Sequence, residues 1–312
     1  SKTLEYKEAL SNSFLKTVSA FANYSGGTVL FGVDDSGKAI GVKSPERVCL
    51  DIENAINDSI TPQPNYSLRI QDADSVVELT VLPGKNKPYL YRSKAYKRND
   101  SSTIEVDNLE FSRLVLAGRN MSFEQLPASN QNMTFSCFGG AIKAKLGLDS
   151  FSDDTLRTLG LLDSDGTYNN AAAIMSDSND LPGIDAAVFG GSINIIRRRV
   201  TSEGKCVLTE IDEVMKLFED TYCYDEIEGL VRRRRETIPR EAFREAITNA
   251  IVHRTWDVPA HIRVAMFGDR IEVTSPGGLP AGLTVDEYLS DLISVRRNRI
   301  LADVFLRLGL IE

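Results

Sequence analysis

Cysteine is scarce and scattered: Cys49, Cys137, Cys206 and Cys223 stand far apart in 312 residues, with no CxxC pair. That spacing encodes neither a zinc finger nor a disulfide framework, and it reads as reduced thiols. No apolar run approaches the about 18 residues a spanning helix needs, and the polar opening SKTLEYKEAL is no signal peptide. The expectation is a cytoplasmic protein without membrane contact. Internal repeats and low-complexity tracts are missing too, which excludes solenoids and fibres. What is present, 42% apolar and 26% charged residues, suits a globular chain of about two domains.

The formal charge of −8 argues against attraction of polyanions by the molecule as a whole. The charge is uneven. Residues 1–120 carry 15 Lys/Arg and 15 Asp/Glu, whereas the remainder carries 21 against 29. A polyanion surface must therefore be local.

Apolar spacing predicts a helix over Tyr6–Asn23 that ends at Gly26-Gly27, then a hairpin of Thr28–Val33 with Lys38–Val42. Ser44-Pro45 opens a second helix. Strands are expected at Tyr66–Ile70, Val76–Leu82 and Tyr89–Lys97, and a helix at Asp107–Leu116. Beyond a boundary near Asn120, helices are expected at Asp153–Leu162, Glu210–Phe218, Tyr224–Arg235 and Pro239–His253. A hairpin of His261–Phe267 with Arg270–Thr274 follows. The fold class is α/β (α+β): two mixed-sheet domains, 1–120 and 121–312, the second comprising a helical/β connecting region and a part best defined from residue 239.

Between Lys85 and Arg98 the basic residues Lys85, Lys87, Arg92, Lys94, Lys97 and Arg98 interleave with Tyr89, Tyr91 and Tyr96, and no acid intervenes. Strands of this kind can hold phosphates and stack bases, and a lysine-rich edge strand is the structural alternative. Gly26-Gly27 reads as architecture, a tight reversal between helix and strand. On the helix from Pro239, Glu245, Asn249 and His253 recur at i, i+4 and share a face. There Asn249 could offer a carbonyl oxygen to Mg²⁺ and Glu245 could orient a water. A polar interface or capping network is the alternative. Arg197–Arg199 and Arg232–Arg235 read as solvated faces.

The ordered set Leu4-Glu5-Tyr6-Lys7-Glu8, Lys16–Asn23 and Gly26–Asp34, continued by Lys87-Pro88-Tyr89, Tyr96-Lys97-Arg98 and Ser101-Ser102-Thr103, resembles the Schlafen/AlbA-type DNA-binding domain over residues 4–118. The resemblance implies DNA or RNA as partner. In nuclease members it implies a Mn²⁺ or Mg²⁺ site at Glu5 and Asp34, with Lys7 near the scissile phosphate; a further acid of that pattern would precede Ser1. The helix 239–254, followed by His261–Phe267, Asp269–Val273 and Ser275-Pro276-Gly277-Gly278-Leu279-Pro280, resembles the GHKL-like ATPase region of RecG-related transcriptional regulators. That resemblance implies ATP and Mg²⁺, with Glu245 as general base, Asn249 as magnesium ligand, and His253, Gly277 and Gly278 beside the nucleotide. Two departures stand out: the adenine-recognising acid is replaced within Ser275–Gly278, and the glycine-rich lid would follow Leu308–Ile311, past the last residue. The expectation is a nucleic-acid-binding regulator, compatible with a homo-oligomer and non-enzymatic over this chain. Its alternative is a nuclease or an ATPase.

Overall fold

The computed structural model describes residues 1–228, 231–278 and 297–311. They fall into two units, one of Ser1–Met121 and one beginning at Ser122. The opening departs from the expected long helix. Leu4–Lys7 is a strand, β1, because its backbone pairs in parallel with the strand that follows the glycine pair, Leu4 opposite Thr28 and Lys7 opposite Phe31. Helix α1 occupies Phe14–Asn23 and buries every residue but Lys16. Strand β2 is Gly27–Phe31. The Gly26-Gly27 reversal admits no side chain, since a Cβ on Gly26 would lie 2.8 Å from the Val81 carbonyl and one on Gly27 2.6 Å from the Phe21 ring.

The expected hairpin arm at Lys38–Val42 forms only one bridge, Val33 to Ala39. Gly41, at φ +73°, turns that segment out of the extended state. Helix α2 (Pro45–Ser59) and strands β3 (Ile60–Thr61), β4 (Tyr66–Gln71) and β5 (Val76–Val81) follow, and β5 takes the place beside β2. The sheet order is β1-β2-β5-β4, parallel at its first pair and antiparallel elsewhere. Phe14, Val18 and Phe21 of α1, with Ile52 and Ile56 of α2, pack over Val29, Val77 and Leu79.

Tyr89–Lys97 is not one strand. It divides into β6 (Leu90–Tyr91) and β7 (Tyr96–Asn99), because Arg92 and Ser93 both adopt positive φ in a two-residue turn closed by Tyr91 and Lys94. Strand β8 (Ser102–Glu105) pairs with β7, and α3 (Asn108–Gly118) is capped by Asp107. The three tyrosines, expected as stacking platforms, are at most 7% exposed and belong to the core.

In the second unit, helices α4 (Ser136–Leu146), α5 (Asp153–Thr158) and α6 (Asn170–Met175) precede strands β9 (Ile184–Phe189) and β10 (Ile196–Ser202). Helix α7 is Val207–Tyr222. The expected helix at Tyr224–Arg235 is instead an antiparallel ribbon, β11 (Cys223–Glu228) and β12 (Val231–Glu236). Its acids and arginines pair across strands, Arg232 with Asp225 and Arg235 with Glu226, and not along a helix face. Helix α8 (Arg240–Val252), strands β13 (Ile262–Met266) and β14 (Ile271–Thr274), and helix α9 (Arg299–Leu308) complete the unit. The sheet order is β10-β9-β13-β14, with β9 and β13 parallel. Both units are thus α+β with a mixed sheet. Residues from Phe138 to Phe305 share one hydrophobic cluster.

Among the described residues of this unit three charged ones are buried. Glu124, fully buried, accepts the backbone N–H of Ile300 (2.9 Å) and Leu301 (3.0 Å) and so caps α9. Arg254, also fully buried, donates to the Pro182 and Ala260 carbonyls and lies 4.4 Å from the Trp256 ring. Burial lifts the Glu210 carboxyl to about 8, against the opposing pull of Arg254. Among the described residues no helix is long and apolar enough to cross a membrane.

Candidate functional site

Strand β1 puts Glu5 and Lys7 on one side of the backbone, two residues apart. Strand β7 brings Arg98 to the same place. The Glu5 carboxylate meets Lys7 Nζ at 3.0 Å, accepts the Thr17 hydroxyl at 2.9 Å, and pairs with the Arg98 guanidinium. Arg98, with a side chain 6% exposed, also donates to Thr103 Oγ1 at 2.9 Å. Glu5 is therefore the hub of a five-residue polar cluster with Lys7, Thr17, Arg98 and Thr103.

Around that hub lies a cleft of about 590 Å³, lined by Glu5, Lys7, Lys16, Thr17, Asp35, Arg98 and Thr103 among others. A second recess of about 450 Å³ shares Ser13 and Lys16 with it and adds Arg92, Lys94, Tyr91 and Tyr96. A third, about 220 Å³, shares Arg98 and adds Lys2, Lys97 and Glu110. The three form one run across the flank of α1. Lys16 stands at its centre, 5.7 Å from the Tyr96 ring. Lys94 pairs with Glu105 at 2.7 Å and Lys97 with Glu110, so the run alternates cations with partly neutralising acids.

Five of the seven basic residues singled out from sequence, Lys7, Arg92, Lys94, Lys97 and Arg98, line this run. Lys85 and Lys87 do not line it. Lys87 is half-buried, and burial lowers the pKa of its ammonium. The Lys85–Tyr89 segment has a structural duty: buried Asn23 accepts Tyr89 N–H (2.7 Å) and donates to the Tyr89 carbonyl (2.9 Å), which also receives Ser19 Oγ. Lys2, Lys16 and Asp35 were missed. For Lys16 the signal existed, as the single charged residue inside the apolar helix α1.

Asp34 does not line the cleft around Glu5. Its Oδ1 accepts Ser36 N–H, Ser36 Oγ and Lys38 N–H at 2.6–2.9 Å, and these bonds hold its carboxyl below the usual range. The next residue, Asp35, is the acid that lines the cleft. Among the described residues no group of three or more His, Cys, Asp or Glu could hold a metal ion.

In the second unit, Glu245, Asn249 and His253 are exposed along one face of α8, as their spacing requires. The C-terminal end of that helix is tied down by other groups. Ser275 Oγ donates to the Ala250 carbonyl (2.7 Å), and Asn298 Nδ2 donates to those of Val252 and Arg254. Arg297 bonds the carbonyls of His253 and Gly278 and the Thr255 hydroxyl. Gly277, at φ +121°, has no room for a Cβ, which would sit 2.1 Å from Thr255 Oγ1. The Gly278 carbonyl is thus already engaged by protein, and Ser275 supplies no carboxylate for an adenine. Leu279 and Pro280 lie outside the described residues. The set fits a magnesium nucleotide incompletely.

Residues 1–107 match the family model described as Schlafen, AlbA_2. The N-terminal unit is a Schlafen AlbA_2 domain. Residues 260–312 match a second model, described as Putative ATP-dependent DNA helicase recG C-terminal. Among solved structures, the DIP2311 protein from Corynebacterium diphtheriae is 24% identical at a TM-score of 0.50, over 100% of this chain and 68% of that one. The N-terminal domain of a Putative ATP-dependent DNA Helicase RecG-related Protein from Nitrosomonas europaea is 21% identical at a TM-score of 0.26, over 34% of this chain and 79% of that domain. The first likeness concerns fold alone. No curated protein matches the chain.

Proposed function

We propose that this chain is a nucleic-acid-binding regulator of transcription. Its Schlafen AlbA_2 domain holds DNA or RNA by the phosphates, and its RecG C-terminal region serves regulation or assembly. The observation that carries this reading is the run of recesses beside α1, where Arg92, Lys94, Lys16, Lys7, Arg98 and Lys97 follow one another among the hydroxyls of Ser13, Thr17 and Thr103. Such an array suits a string of phosphates. Because Tyr89, Tyr91 and Tyr96 are buried, base stacking plays no part in it. The contacts are therefore tolerant of sequence.

The enzyme alternatives have less support. A nuclease at Glu5 and Asp34 requires two acids that face different surroundings, and its metal would compete with Lys7 and Arg98 for Glu5. An ATPase at Glu245 and Asn249 lacks the adenine-recognising carboxylate.

Fluorescence anisotropy with labelled single- and double-stranded DNA and RNA across a salt series tests the reading. The expected result is micromolar or tighter binding with a steep salt slope, which the triple change Lys16→Ala, Arg92→Ala, Lys94→Ala reduces by up to about 3. Binding with an unchanged slope in the triple variant rejects this surface, and no binding at low salt rejects the function.

A further inference from the structure

Two cysteines far apart in the chain meet inside the second unit. Cys137 is the second residue of α4 and half-buried, whereas Cys206 is the N-cap of α7 and 1% exposed. Thr209, three residues after Cys206, donates its hydroxyl to Cys137 Sγ at 3.3 Å. Residues three apart at a helix start are neighbours on one side, about 5–6 Å between Cβ atoms. Cys137 Sγ therefore rests against the ridge that Cys206 and Thr209 share. Both side chains pack in the same hydrophobic cluster. The two thiols also act on each other directly, and the Cys206 thiol, raised chiefly by burial, is raised further by the charge and hydrogen bond of Cys137.

We propose that Cys137 and Cys206 are an oxidisable dithiol that closes to a disulfide between α4 and α7 when the protein meets a hydroperoxide. Cys137 is the attacking thiol, since it is the half-buried one of the pair whereas Cys206 is 1% exposed. Its sulfur attacks a peroxide oxygen, the O–O bond breaks, and a sulfenic acid forms as the other oxygen leaves with the thiol proton as water. Cys206 sulfur then attacks Cys137 sulfur. The S–S bond forms, the S–O bond breaks, and the departing hydroxide takes the Cys206 proton as a second water. Two thiols lose two electrons, and hydrogen peroxide becomes two waters.

The test treats the folded chain with stoichiometric hydrogen peroxide, alkylates free thiols under denaturing conditions, and maps the peptides by mass spectrometry. The expected product joins the Cys137 and Cys206 peptides with the loss of two hydrogens, is reversed by dithiothreitol, and leaves Cys49 and Cys223 alkylated. In Cys206→Ala, Cys137 stops at a sulfenic acid that dimedone traps. Alkylation of all four cysteines after peroxide, sulfinic acid on Cys137 without a link, or links scattered equally over Cys49 and Cys223 would each overturn the proposal. The wild-type peptide map decides even if the variant fails to fold.

Discussion

Changing Glu5 to Gln should strengthen nucleic-acid binding. The central cleft carries three cations, Lys7, Lys16 and Arg98, against two carboxylates, Glu5 and Asp35. Glu5 alone engages two of those cations. Glutamine keeps the shape and can still accept from Thr17, but it releases Lys7 toward a phosphate and removes one repulsive charge. Freeing Lys7 from its partly buried pair with Glu5 for a phosphate contact is worth up to about 1 kcal/mol, so affinity at low salt should rise by a factor of up to roughly 5. One more cation at the backbone steepens the salt slope by about 0.9 on duplex DNA, so between about 50 and 200 mM salt the variant should lose roughly threefold more affinity than the parent. Arg98, 6% exposed, loses its charged partner, and the fold should weaken by about 1–2 kcal/mol. Urea denaturation measures that loss first, and anisotropy at several salt concentrations then reads the slope. Weaker binding by a folded Glu5→Gln protein, or an unchanged slope, would refute the phosphate cleft. Loss of a Mn²⁺-dependent cutting activity in the same variant would support the nuclease instead.

Asn23→Ala should cost about 2–4 kcal/mol in urea denaturation, because it strands both the N–H and the carbonyl of Tyr89 in a buried setting. Stability of the second unit should fall as pH rises toward about 8: folded Glu210 keeps a proton that the unfolded chain has already released, so each pH unit above about 5 costs about 1.4 kcal/mol until the folded carboxyl itself ionises. Glu210→Gln should flatten that slope, and denaturation at a series of pH values checks it. Glu124→Ala should cost about 1–3 kcal/mol by uncapping α9, seen as faster amide exchange at Ile300 and Leu301.

Where a segment's fate depended on its own residues, the sequence was a good guide. Helix α2 after Ser44-Pro45, α8 after Pro239 and the hairpin about Gly268-Asp269 all follow from local prolines, apolar stripes and turns. The misreadings arose where a distant partner decided. Leu4–Lys7 is extended because β2 lies beside it, and the arginine-rich ribbon forms because its acids sit across the strand pair. Local chemistry misled once, at Arg92-Ser93, a two-residue turn at positive φ with neither glycine nor asparagine to announce it. At the site, the cations near Arg98 were legible as a cluster, but their acidic partners Glu5, Glu105 and Glu110 were not, since each pairing is made by tertiary folding. Likewise the meeting of Cys137 with Cys206 leaves no trace in their spacing.

The Glu124 cap bears on the order in which the second unit can be assembled during synthesis. Its carboxylate is near the start of that unit, yet the N–H groups it accepts belong to residues 300 and 301. Until those residues leave the ribosome, Glu124 has no partner for burial and must stay hydrated, and the apolar cluster lacks Leu301, Val304 and Phe305. The core residues described for the first unit, by contrast, have all been made once residue 121 has emerged. A nascent chain of this protein thus carries a finished N-terminal domain and an open second one for most of the latter's translation. A stop or frameshift just before α9 would leave not a shortened second domain but an unclosed one.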